Sequence, residues 1–174
     1  MKSCTDEGKD SKAFLALGSN LGNRGDRLRE AVRFIENLPK TGVTDLSWVY
    51  ETNPVGGDGP PYLNMVLGVS TRSDPVTLMK NLLDIETLLG RRRTSTPNEP
   101  RVIDIDMLLY EDMVMNHEFL TLPHPRMHTR QFVLEPLCEL APLVKHPKTG
   151  VAMKDLLEAA EKTGAVRIGP LDEM

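Results

Sequence analysis

Residues 102–110 read VIDIDMLLY, and this stretch limits the fold more than any other in the chain. At the two-residue period of a strand, Ile103, Ile105, Met107 and Leu109 take one side, and Asp104 and Asp106 take the other. Such a strand belongs in a sheet with one face packed and the opposite face free to carry charge. The two carboxylates then stand ~6.6 Å apart along the strand, where they repel unless a cation lies between them. Oxygen ligands of this kind suit Mg²⁺, which binds through one or two carboxylates plus substrate phosphates. A solvated sheet face is the competing reading of the same motif.

The elements around this strand can be read in order. Ala13 to Asn20 is a buried strand running into a glycine-rich turn, and a helix starts at Asp26, which caps it. Leu28, Ala31, Val32, Ile35 and Leu38 form its apolar stripe, and Pro39 and Gly42 stop it. Ser47 to Pro54 reads as a strand, VGGDGPP as a loop, and Tyr62 to Thr71 as the next strand. Ser73-Asp74-Pro75 opens a helix with the stripe Leu78, Leu82, Ile85 and Leu89, ended by Gly90. Arg91 to Arg101 is a polar, basic loop, and the aspartate strand spans Val102 to Asp112. NHEFLTLPHPRMHTRQF has little periodicity and reads as a surface excursion. Pro136 restricts any helix in FVLEPLCELAP to begin near it, and a last helix covers Met153 to Thr163, ending at Gly164. The order βαββαβ predicts an α+β, ferredoxin-like sandwich: an antiparallel sheet with helices packed on one face.

Composition narrows the function. At 174 residues, one catalytic domain over residues 13–174 is expected, after a disordered leader at 1–12. A net charge of −4 argues against nonspecific nucleic-acid binding. No apolar run approaches the ~20 residues a membrane helix needs, and the start carries no signal-peptide core, so a cytoplasmic protein is expected. Cys4 and Cys138 lack metal-ligand spacing, and Cys138 reads as a small core residue.

Several other residues carry chemistry. Arg91, Arg92, Arg93 and Arg101 flank a loop that ends at the aspartate strand, and arginine suits bidentate phosphate contact. A solvated basic loop is the alternative. GSNLGNR (18–24) could cradle phosphate, or its glycines could simply serve a tight strand-to-helix turn. Tyr62 and Asn64 share a strand face and, with Phe132, could hold a flat heterocycle by stacking and edge hydrogen bonds; core packing is the other reading. Trp48 reads as core, His124 as exposed between its prolines, and His117, His128 and His146 as surface residues.

Taken together, AFLALGSNLGNR, YETNPVGG, YLNMV, GRRR, PRVIDIDMLLY and LTLPHPRMHTRQFVLEPLCELAP, in this order over residues 13–147, resemble the 6-hydroxymethyl-7,8-dihydropterin pyrophosphokinase family. The resemblance implies an enzyme of folate biosynthesis that moves the diphosphate of ATP to the pterin hydroxymethyl group and releases AMP. It places two Mg²⁺ ions on Asp104 and Asp106, and catalytic arginines at Arg91 and Arg101. Pterin would contact Thr52, Val55, Tyr62, Asn64 and Phe132; ATP would contact Glu86, Arg93, Met107, Thr121, His124 and Arg130. The family's fold is ferredoxin-like, and a monomer acting on small molecules is expected. Asn98, Pro125 and Phe119 stand where some members carry tryptophan, tyrosine and arginine. The rival enzyme with carboxylates on such a sheet is a palm-like, Mg-dependent nucleotidyl transferase, for which the Tyr62–Asn64–Phe132 slot would have no use. A non-catalytic binding module would have no need for paired aspartates beside arginines.

Overall fold

The computed structural model describes residues 9–54, 59–91 and 100–174. Strand β1 (Ser11–Ser19) is followed by α1 (Arg24–Glu36), β2 (Thr41–Leu46), β3 (Val49–Thr52), β4 (Tyr62–Thr71), α2 (Pro75–Leu88) and β5 (Asp104–Tyr110). A short hairpin of β6 (Met115–His117) and β7 (Leu120–Leu122) leads to α3 (Gln131–Leu140), α4 (Met153–Ala159) and β8 (Val166–Gly169). The main sheet is six-stranded in the order β5-β1-β4-β3-β8, with β2 also pairing β4, and all its pairs are antiparallel. Its central order β5-β1-β4-β3 is that of the ferredoxin-like sandwich expected from the sequence.

Alternation along the central strands builds two cores. Leu15 and Leu17 of β1, Met65, Leu67 and Val69 of β4, and Ile105 and Met107 of β5 pack against the apolar stripes of α1 and α2. Phe14, Val66 and Leu108 meet Val133, Leu134 and Leu137 of α3 and Met153 of α4. The second sheet face is therefore partly covered, and β4 is buried along most of its length. The end of this face carrying Asp104, Gly18, Asn64 and Tyr62 opens into a cavity.

Several local expectations are corrected. Helix α1 begins before Asp26, because the side chain of Asn23 is the cap and accepts from the Asp26 N–H. Pro136 lies inside α3, and burial of Leu134 and Leu137 holds the helix through it. Helix α4 stops at Ala159. Strands β2 and β8 were not expected: both are largely exposed and show no apolar alternation that would mark them, so pairing alone makes them strands. Trp48 is 41% exposed, with the Arg167 guanidinium 3.6 Å above its ring, and Tyr50 fills the buried position instead. His146 is buried rather than superficial.

Two features of the expected start and stop signals hold. Asp74 accepts from the Val76 and Thr77 N–H groups at the head of α2, with Pro75 in the first turn. At its end Gly90 adopts φ +92°, its N–H meets the Thr87 carbonyl at 3.0 Å, and the Arg91 N–H meets the Glu86 carbonyl at 2.9 Å. That is a Schellman closure, which only a residue at ease in the left-handed region makes without strain. It delivers Arg91 to the edge of β5.

Candidate active site

Antiparallel register sets the floor of the site. On β1, Gly18 lies opposite Asp104 of β5 on one side and Asn64 of β4 on the other. A side chain at Gly18 would put its Cβ 3.2 Å from Asn64 Oδ1 and 3.9 Å from the Tyr62 ring. This strand glycine thus leaves a gap between the carboxylates and the aromatic end, a role distinct from any turn. A cavity of about 350 Å³ opens there, and its walls include Tyr62, Asn64, Phe132, Arg91, Arg101 and Arg130. Asp104 and Asp106 both face it.

The two aspartates are not equivalent. Asp104 accepts from Arg91 Nη1 and, at 2.7 Å, from Arg101 Nη1. Asp106 has no hydrogen-bond partner among the described residues; its nearest charged-type neighbour is His124 Nε2 at 3.7 Å. Desolvation at the pocket floor, with the charge of Asp104 added, raises the Asp106 carboxyl well above the usual carboxylate range. His124 is tucked in rather than exposed, and burial together with the Arg130 and Arg126 charges lowers it to about 4. Its ring is neutral at physiological pH, so its approach to Asp106 is not an ion pair.

Glu86 supports this arrangement from behind. Its side chain is 2% exposed, it receives Arg91 Nη1, and it accepts the Ile105 N–H at 2.8 Å. One buried carboxylate thereby joins α2, Arg91 and the start of β5, and lies behind the pocket wall.

At the other end, Asn64 is oriented by donating Nδ2 to Thr52 Oγ1 at 2.8 Å. That leaves Oδ1 as an acceptor towards the gap above Gly18. Tyr62 is raised by burial and stays protonated, and the Arg130 guanidinium lies 5.4 Å from the centre of the Phe132 ring. The slot therefore offers two aromatic faces and a fixed polar edge within reach of two carboxylates and several guanidiniums.

Of the residues singled out in the sequence, Thr52, Tyr62, Asn64, Arg91, Arg101, Asp104, Asp106, Arg130 and Phe132 line one pocket, and His124 adjoins it. Met107 is 2% exposed in the core under the sheet, where the alternation of β5 directs its side chain away from the pocket. Thr121, on β7, bonds Asn116 Oδ1 at 3.0 Å and does not line the cavity. Val55 and Arg93, with Arg92 and Asn98, lie outside the described residues. Sequence reasoning passed over Arg126, Met79 and Leu83, which line the cavity, and read Gly18 only as part of a turn; Phe119, standing where some family members carry an arginine on the ATP side, lines the cavity as well. An arginine two residues after a candidate histidine was the available signal for Arg126; nothing local marks the others.

The family model for 7,8-dihydro-6-hydroxymethylpterin-pyrophosphokinase matches residues 14–142. The 2-amino-4-hydroxy-6-hydroxymethyldihydropteridine pyrophosphokinase of Bacillus subtilis is 41% identical over 138 residues, covering 79% of this chain and 82% of that protein. The enzyme of the same name from Pseudomonas aeruginosa is 34% identical over 158 residues, covering 90% and 96%. The folic acid synthesis protein fol1 of Schizosaccharomyces pombe is 36% identical over 157 residues, but the chain spans only 21% of its length. In fold, the chain is similar to a Plasmodium falciparum HPPK-DHPS crystal structure, with a TM-score of 0.71 at 16% identity over 89% of this chain and 45% of that one.

Proposed function

The chain belongs to the 7,8-dihydro-6-hydroxymethylpterin-pyrophosphokinase family, and from that premise we propose that its pocket transfers the β,γ-diphosphate of ATP to the hydroxymethyl oxygen of 6-hydroxymethyl-7,8-dihydropterin, releasing AMP. The observation that carries this reading is the gap above Gly18, which sets an aromatic slot beside Asp104 and Asp106 on one sheet face. A new bond forms between the pterin oxygen and the β-phosphorus, and the bond from that phosphorus to the oxygen bridging it to the α-phosphorus breaks. The hydroxyl proton passes to solvent, and AMP leaves with the bridging oxygen.

Each part of the pocket has a task in that displacement. Tyr62 and Phe132 hold the heterocycle by its faces, and Asn64 Oδ1 accepts from an N–H on its edge. This orients the hydroxymethyl group towards the carboxylates. Arg91 and Arg101 face the triphosphate and stabilise charge that spreads over its oxygens. His124 and Arg130 stand on the Asp106 side, where the nucleotide is held. Among the described residues no histidine or lysine lines the cavity, and positioning and electrostatics supply most of the rate.

The donor set fits magnesium. Asp106 lacks a hydrogen-bond partner, and no group of three or more His, Cys, Asp or Glu side chains among the described residues could enclose a metal by itself. Two carboxylates on an open face suit a hard cation that takes its other ligands from phosphate and water. Asp104 and Asp106 would hold two Mg²⁺, which neutralise phosphate charge when bound.

Release of AMP from ATP that depends on added pterin tests the reaction. AMP released at the same rate without pterin, or ADP in its place, would overturn it. Two binding variants should respond separately. Phe132→Ala is expected to weaken pterin binding by ~1–3 kcal/mol, the worth of stacking a flat base on an aromatic ring, with little change in nucleotide affinity. Pterin titration measures this, and normal binding would remove Phe132 from the slot. Gly18→Val would push a branched side chain into the gap beside Asn64 Oδ1. Overpacking of ~1–3 kcal/mol should then appear as a raised pterin KM. An unchanged KM would mean that the ring does not cross Gly18.

A further inference from the structure

We propose that Asn20 is a positioning residue that ties the heterocycle end of the pocket to Arg101 through the two ends of one buried carboxamide. Asn20 follows β1 directly and is 3% exposed. Its backbone N–H donates to the Arg101 carbonyl at 3.1 Å, and its Oδ1 accepts the Arg101 N–H at 2.7 Å. Its Nδ2 donates to the Pro60 carbonyl at 3.3 Å. The reverse placement of oxygen and nitrogen would set an amide donor against the Arg101 N–H and an acceptor against the Pro60 carbonyl, so the partners dictate the orientation.

What lies at each end gives the link its meaning. Pro60 and Pro61 carry no N–H, so the backbone of this segment can be held only through its carbonyls. Asn20 takes the first, and Arg24 Nη1 takes the second at 2.8 Å while its Nη2 pairs with Glu51 of β3 at 2.8 Å. Tyr62, one wall of the slot, follows immediately. On the other side, Arg101 reaches Asp104 at 2.7 Å, and Ser19 Oγ donates to the Val102 carbonyl at 2.6 Å. The chain entering the slot and the arginine beside the carboxylates are thus referred to one rigid group at the end of β1. Glutamine carries the same carboxamide one methylene further from the backbone, so asparagine alone offers it at this reach.

The inference rests on the proposed reaction, which wild-type AMP release checks on its own. Asn20→Ala is expected to lower kcat roughly tenfold and raise the pterin KM several-fold, the range expected when buried hydrogen bonds that fix working groups are lost. Because the kcat effect acts through Arg101, it should nearly vanish when Asn20→Ala is introduced into Arg101→Ala. The loss of melting temperature caused by Asn20→Ala should remain in both backgrounds. Asn20→Asp keeps the acceptor for the Arg101 N–H but cannot donate to Pro60, so it should restore kcat and leave the pterin KM raised. A kcat loss that multiplies with Arg101→Ala overturns the proposal, as does an Asn20→Asp variant that fails in kcat as alanine does.

Discussion

Asp106→Ala should lower AMP release roughly 10³-fold or more, because a metal-bound phosphate receives several kcal/mol of charge stabilisation and each 1.36 kcal/mol is a factor of ten in rate. The same substitution should leave the fold intact. Asp106 holds no hydrogen bond among the described residues, and its carboxyl is raised by desolvation and by the charge of Asp104. Removing it relieves repulsion, so the thermal midpoint without ligand should hold or rise. Asp104→Ala should also abolish turnover, but at a cost in stability. Its carboxylate receives both Arg91 and Arg101, and deleting it removes one acceptor from each of two partly buried guanidiniums, at a cost of roughly 1–3 kcal/mol. The pair of melts separates the two residues. Full activity in Asp106→Ala would sink the magnesium assignment, and equal destabilisation by both substitutions would contradict the asymmetry seen in the pocket.

For Arg101→Ala the expected loss is in the chemical step. Its guanidinium lies against Asp104 beside the slot, where the proposed reaction would develop charge on the diphosphate being transferred. Removal of a charge-stabilising group of this kind costs on the order of 10²–10³ in kcat. The affinity for an ATP analogue that cannot be cleaved between its α- and β-phosphates should change less, because Arg91 and Arg130 still face the pocket. Single-turnover AMP release and analogue binding, measured side by side, distinguish the two effects. Should the variant lose nucleotide affinity and keep its single-turnover rate, Arg101 would be a binding residue only. Asn20→Ala should reproduce part of the kcat loss, since it acts on the same arginine from behind.

Much of this site could be read before any coordinates. The alternation in VIDIDMLLY places Asp104 and Asp106 opposite Ile105 and Met107, and the structure keeps that division. Tyr62 and Asn64 share a face for the same reason. The cap at Asp74 and the closure at Gly90 follow from side-chain and backbone preferences that act over a few residues. Arg91, Arg101 and Phe132 were legible from residue chemistry, and the family motifs extended the reading to Thr52 and Arg130.

Other features had no local signal. Asp104 and Asp106 look alike in the sequence, yet among the described residues only Asp104 hydrogen-bonds arginines, one of which, Arg91, is brought to the edge of β5 by the turn after α2. Nothing local marks the burial of Glu86, which braces Arg91 and the Ile105 N–H, or of Met107, which lies in the core. Trp48 lies outside while Tyr50 lies inside, a choice made by the register of β3 against β4 and by Glu139, which accepts from the Tyr50 hydroxyl at 2.8 Å. Gly18 matters only because two antiparallel neighbours put Asp104 and Asn64 on either side of it. Periodicity, caps and turns are properties of neighbouring residues, so the sequence by itself determined the helices α1 and α2, the central strands, and which face of the aspartate strand carries charge, whereas β2 and β8 exist through pairing. Strand order and register join residues far apart in the chain, so the tertiary structure alone decided which carboxylate is paired, which glycine makes room, and which asparagine holds the arginine in place.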